Sequence, residues 1–176
     1  MQWDHKPQHR PHHLRRRDSS EIQPYVDGRL HLKTLIFHKL SNLTGHIQPA
    51  IAKLKNLTVI RLSWTNLSGP VPDFLTTLPN LDYLDLSFND LTGYIPPSLT
   101  KLTKLNTLHL DHNRPICSIP EAYGRFKGSI PDLYLSHNWL TDKILKSLGD
   151  MNFSVINLLQ CGIQLGSGCP LPIPVL

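Results

Sequence analysis

The apolar positions of this chain fall into register when it is cut every 24 residues. "LKNLTVIRLSWTNLSGPVPDFLTT" (54–77) lies over "LPNLDYLDLSFNDLTGYIPPSLTK" (78–101), and both lie over "LTKLNTLHLDHNRPICSIPEAYGR" (102–125). Leu54, Leu78 and Leu102 then coincide, as do Leu57, Leu81 and Leu105. Ile60, Leu84 and Leu108 follow, and after them Leu62, Leu86 and Leu110. A looser copy runs from 126 to 150, and an upstream copy from 31 to 53 carries one extra residue before Leu43. Within each copy the apolar residues alternate over four or five positions, pass an Asn, and end on Gly and Ile/Val-Pro. The alternation predicts a short half-buried strand, because side chains two apart share a face. Such strands are expected near 34–37, 59–62, 83–86, 107–110, 132–135 and 155–158, with Leu62, Leu86, Leu110 and Leu135 buried.

The pattern L-x-x-L-x-L-x-x-N-x-L at this period is the leucine-rich repeat signature. It implies an α/β repeat solenoid: a right-handed coil with a concave parallel β-sheet, built from about five 24-residue repeats. No repeat buries its Leu column alone, so the fold depends on stacking. Asn89, Asn113 and Asn138 stand where the chain turns inward, and their amides are expected to satisfy backbone groups that the turn leaves unpaired. Gly69 and Gly93 serve the next bend. Val71-Pro72 and Ile95-Pro96 put one apolar residue back into the core before Pro ends local pairing.

Composition alters this picture only at the ends. Fifteen Pro and ten Gly suit repeated turns, and no run approaches the ~18 apolar residues of a membrane span. The formal charge is +5, but residues 1–20 hold five Lys/Arg against two Asp/Glu and account for +3 of it. We divide the chain into a basic tail expected to be disordered (1–29), a repeat domain (30–160) and an irregular Pro-rich tail (161–176). His5, His9, His12 and His13 with Arg15, Arg16 and Arg17 read as a solvated basic tail rather than a metal tract or a nucleic-acid arm, because no aromatic residue or Cys is interleaved with them. The tail also lacks the apolar stretch of a secretion signal.

Candidate chemistry is sparse. The spacing of Cys161 and Cys169 leaves open whether they pair, and Cys117, at the turn-Gly position of its repeat, reads as a free thiol. No G-x-S-x-G, P-loop, H-E-x-x-H or C-x-x-C is present. We therefore expect no enzyme activity, cofactor or metal. Strand parity instead assigns a solvent-facing concave surface: Val59, Arg61 and Ser63; Tyr83, Asp85 and Ser87; Thr107, His109 and Asp111; Asp132, Tyr134 and Ser136; Val155, Asn157 and Leu159. Arg61, Asp85, His109 and Tyr134 form its central column, and Tyr, Arg and Asp in one row suit a protein–protein hot spot.

Four N-x-S/T sequons, at Asn42, Asn56, Asn66 and Asn152, lean towards a secretory origin and are glycosylation candidates. The runs "LSNLTGHIQPAIAKLKNLTVIRLSWTNLSGPVPDFL", "LDLSFNDLTGYIPPSL" and "GSIPDLYLSHNWLT" resemble the plant polygalacturonase-inhibiting proteins over residues 30–158. The resemblance implies a secreted cell-wall protein of plant defence. Its concave face would bind fungal or insect polygalacturonase, with pectin as a second candidate partner. Family members have about ten repeats between Cys-paired caps. This chain has about five, so it is expected to be a fragment with reduced or no inhibitory activity. The alternative is an ectodomain fragment of a receptor-like protein that senses a ligand, and the third reading is a non-functional remnant.

Overall fold

The computed structural model describes residues 31–114, 119–126, 131–138 and 153–158. Both predicted tails, Asn152, Leu159 and all three Cys lie outside the described residues. Nine strands occur among those described: β1 (Thr34–His38), β2 (Thr44–Gly45), β3 (Val59–Ser63), β4 (Asn66–Pro70), β5 (Tyr83–Asp85), β6 (Asp90–Thr92), β7 (Thr107–His109), β8 (Asp132–Tyr134) and β9 (Ile156–Asn157). Six of them form one all-parallel sheet in the order β1-β3-β5-β7-β8-β9, and three form a second parallel sheet, β2-β4-β6. Each predicted strand is present to within a residue or two. Successive parallel strands in one sheet require a crossover after each, and such crossovers are right-handed, which gives a right-handed leucine-rich coil.

The register explains the stacked leucines. Ile60 faces Leu84, Leu84 faces Leu108, and Leu108 faces Leu133. Leu62, Leu86, Leu110 and Leu135 are all at most 2% exposed, as the periodicity requires. The return side is built of five-residue 3-10 turns, Pro49–Lys53, Asp73–Thr77, Pro97–Lys101 and Glu121–Arg125. Five residues are too few for a stable α-helix, and the tighter turn suffices to drop Ile51, Leu75, Leu99 or Tyr123 into the core. Pro49 and Pro97 open their turns where no backbone N–H is needed.

The Asn positions behave as the turn argument requires. The Asn113 amide donates to the carbonyls of Leu86 (3.0 Å) and Leu110 (2.9 Å), while its oxygen accepts from the Leu91 N–H (3.1 Å). Asn89 likewise donates to Leu62 and Leu86 and accepts from the Leu67 N–H, and Asn138 donates to Leu110 and Leu135. Each amide is buried, and each ties its own coil to the one before.

Gly69 (φ +79°) and Gly93 (φ +82°) occupy left-handed backbone that a Cβ disfavours. A Cβ at Gly93 would meet nothing nearer than 3.8 Å, whereas one at Gly69 would fall 2.1 Å from the His46 ring. That ring is exposed and free to swing away. We expect Gly69→Ala and Gly93→Ala each to lose about 1 kcal/mol in urea denaturation, mostly from backbone strain. A loss of several kcal/mol at Gly69 alone would mean that His46 cannot yield.

Candidate functional site

The strand register builds the central concave column directly. Ile36 lies beside Arg61, Arg61 beside Asp85, Asp85 beside His109, His109 beside Tyr134, and Tyr134 beside Asn157. Parity thus placed these residues on the right face, but burial divides them. Arg61, Tyr83, Thr107, His109, Asp132, Tyr134 and Asn157 are partly exposed, whereas Ser63, Asp85, Ser87, Asp111 and Ser136 are buried. The solvent-facing assignment is corrected for those five. Strands in a parallel sheet lie about 5 Å apart, so a short polar side chain is roofed over by its longer neighbours.

The buried polar residues brace the exposed ones. The Asp85 carboxylate receives Arg61 Nε on one oxygen (3.0 Å) and the Ser87 N–H and hydroxyl on the other (3.0 and 2.6 Å). Arg61 Nε also donates to Ser63 Oγ (3.1 Å). The guanidinium is therefore aimed along the column by two buried acceptors. His109 stacks on Tyr134 with ring centroids 4.1 Å apart and planes 5° from parallel, and Tyr83 lies tilted at 5.7 Å on its other side. Three rings and a guanidinium make one rigid amphipathic strip, the composition that hot spots favour. Burial, and then the neighbouring Asp85 carboxylate, push the Tyr83 phenol above its ordinary value, so it stays a neutral donor.

Asp111 joins two ring columns. Its Oδ2 meets His112 Nδ1 at 3.0 Å, and its Oδ1 faces His109 Nδ1 at 3.4 Å without hydrogen-bond geometry. Burial alone would raise this carboxyl, but the contacts to His109 and His112 outweigh it and hold the group below its ordinary value. Among the described residues, no group of three His, Cys, Asp or Glu is arranged to hold a metal ion.

Sequence reasoning missed a second column on the flank of the sheet. Trp64, Phe88, His112 and His137 all have positive φ, between 54° and 56°, and stack successively with centroids 3.9 Å apart and planes 12–15° from parallel. Bulky residues avoid this backbone region, yet Lys39 adopts it at the equivalent place as well. Ring stacking and the neighbouring Asn amides hold the strained turn in place. The signal was present in the sequence: Trp64, Phe88 and His112 are spaced 24 apart, each immediately before the Asn position. Of the sequons, Asn42, Asn56 and Asn66 are exposed.

Leucine rich repeat family models match residues 55–114 and 132–149. A curated relative, polygalacturonase inhibitor 2 of Arabidopsis thaliana, is 65% identical over 46 residues, and the polygalacturonase inhibitor of Vitis vinifera is 62% identical over 47. These segments cover 26% and 27% of this chain, and the chain spans only 14% of the length of either relative. Among solved structures, a plant ice-binding protein is 49% identical with a TM-score of 0.65, covering 68% of this chain and 38% of that one. The ectodomain of the Arabidopsis receptor kinase HAESA, solved with a peptide hormone and a co-receptor, is 32% identical with a TM-score of 0.60, covering 65% of this chain and 19% of that one.

Proposed function

For this leucine-rich repeat chain, related over part of its length to the polygalacturonase inhibitors and a binding protein rather than an enzyme, we propose that the concave strip binds a polygalacturonase in the extracellular space. The observation that carries this reading is the 65% identity over 46 residues to a polygalacturonase inhibitor. Arg61, Tyr83, Thr107, His109, Asp132, Tyr134 and Asn157 are the proposed contacts. Ser63, Asp85, Ser87 and Asp111 act behind them by fixing their orientation. Pectin, as the polygalacturonase's own substrate, is the second candidate ligand.

The predicted activity is weak inhibition. A standard interface takes about 800 Å² from each partner, and a sheet of six short strands supplies that only if most of the strip is engaged. The test is reducing-sugar release from polygalacturonan by fungal and insect polygalacturonases, with and without the folded chain. Tyr83→Ala combined with Tyr134→Ala should weaken inhibition about thirtyfold, the cost of losing one or two central anchors. Inhibition unchanged in a double variant that keeps its circular dichroism spectrum overturns the concave assignment. No inhibition of any enzyme tried overturns the function.

The second reading is a ligand-sensing ectodomain, favoured by the likeness to a peptide-hormone receptor. Among the described residues, no helix is long and apolar enough to cross a membrane. Saturable binding of an extended peptide along the strip, without effect on polygalacturonase, would decide for it.

A further inference from the structure

The flank column of rings ends at Trp64. One coil earlier the equivalent position holds Lys39, so among the described residues the indole has Phe88 on one face and no ring on the other, and it remains 47% exposed. Two residues later stands Asn66, the first residue of β4 and the start of Asn66-Leu67-Ser68. Trp64 and Thr65 form the bend between β3 and β4; Trp64 and Asn66 are exposed, while Thr65 and Leu67 are buried. Trp64 and Asn66, with Ser41 and Asp90, line one groove of about 400 Å³. None of the other sequons has an aromatic residue two places before its Asn; Leu40, Leu54 and Asp150 stand there.

We propose that Asn66 carries an N-linked glycan and that the Trp64 indole is the platform on which its first sugar rests. The ligand class is a β-linked N-acetylglucosamine, whose ring presents a face of weakly positive C–H groups to the negative face of the indole. In the transfer, the Asn66 amide nitrogen attacks C1 of a lipid-diphosphate-linked oligosaccharide. The bond from C1 to the diphosphate oxygen breaks, the diphosphate leaves with its electron pair, and the amide gives up one proton. The host's transferase acts on the unfolded, extended chain, so the fold decides only whether the sugar can be housed. It can: the amide keeps one N–H, enough for the single bond that it makes to the Ser41 carbonyl (2.5 Å). Ser41 and Asp90 line the same groove as Trp64 and Asn66. Resting a sugar on Trp64 also covers an exposed aromatic surface at the end of the column, which turns a solubility liability into a stabilising contact.

The inference rests on the extracellular reading only in requiring passage through a secretory pathway, which the experiment supplies, and its readouts do not involve inhibition. The full chain, with Asn42→Gln, Asn56→Gln and Asn152→Gln, is expressed behind a cleavable secretion leader in a glycosylating host. Glycopeptide mass spectrometry should find Asn66 occupied; an unoccupied Asn66 overturns the proposal. Trimming with an endoglycosidase that leaves the first sugar should leave the thermal midpoint unchanged. The same chain produced without glycan in a host that lacks the transferase, so that Asn66 keeps its amide and its bond to the Ser41 carbonyl, should have a midpoint lower by about 2–4 °C. Equal midpoints for the trimmed and the bare protein overturn the stacking. Trp64→Phe should keep the difference and Trp64→Leu should abolish it, and a difference that survives in Trp64→Leu also overturns the stacking. Should Trp64→Leu not fold, the wild-type proton spectrum decides: the first sugar's ring protons should be displaced upfield by the indole, and undisplaced protons overturn the contact.

Discussion

Asn113→Ala should lower the folding stability by about 3–5 kcal/mol, the largest effect of any single exposed-looking polar position in the repeat. Its amide serves four backbone groups, the carbonyls of Leu86, Leu110 and Asp111 and the N–H of Leu91, and it is buried. Each buried group left unpaired costs about 1–3 kcal/mol, and small domains hold only about 5–15 kcal/mol in all. Asn113→Asp is the informative companion. It keeps an acceptor for the Leu91 N–H but points a carboxylate at three carbonyls, so it should be no better tolerated than Ala. Urea denaturation followed by circular dichroism measures both. A loss below 1 kcal/mol for either would mean that the turn repacks without its amide.

Asp111→Ala should cost about 2–3 kcal/mol near neutral pH, because a buried carboxylate that accepts from His112 and faces His109 is lost from the junction of two ring columns. The pH dependence follows from the direction of its shift. The folded-state value lies below the ordinary 3.8, so the unfolded chain binds the proton more tightly. The contribution is complete above the ordinary carboxylate range and disappears as pH falls through the lower folded value. Thermal midpoints of wild type and Asp111→Asn, taken between pH 6 and pH 2, should converge at the acid end. Parallel curves would show that the carboxylate is not the group being protonated. This substitution is therefore a probe of the scaffold, and changes in partner binding are better sought at Tyr83 and Tyr134.

The two sides of the coil were unequally legible in the sequence. Period 24 and strand parity gave the strand positions, the buried column of Leu62, Leu86, Leu110 and Leu135, and the turn amides, because those features depend on spacing alone. Exposure on the concave face depends on what stands beside a residue in the next coil. Ser63 meets Arg61 and, from the neighbouring coil, His38, while Ser87 is tied to the buried Asp85, and parity within one strand carries no information about such partners. The flank column was missed for a different reason. Trp64, Phe88, His112 and His137 share a backbone conformation rather than a residue type, so an alignment searched for identical letters passes over them. Aromatic character recurring just before each Asn position would have disclosed it. The return turns were foreseen as a place where apolar residues re-enter, but not as 3-10 structure, since five residues fix a length and not a winding.

Each amide that links one coil to its neighbour spans a constant sequence distance. Asn89 to Leu62 and Asn113 to Leu86 are both 27 residues, and Asn138 to Leu110 is 28. Among the described residues no contact of this type reaches two coils away, so the coils behave as interchangeable modules. Excision of one whole unit, such as 78–101, would present Asn113 to Leu62 at the separation that Asn89 uses now. Duplication of a unit would add one more such link and break none. The surplus residue that makes the last interval 28 lies in the return between Asn113 and Asn138, away from the strands, where it leaves the pairing of Leu108 with Leu133 intact. A gene encoding this coil can lengthen or shorten by 24 codons at a time, and the size of its concave face becomes an inherited variable that unequal recombination can adjust.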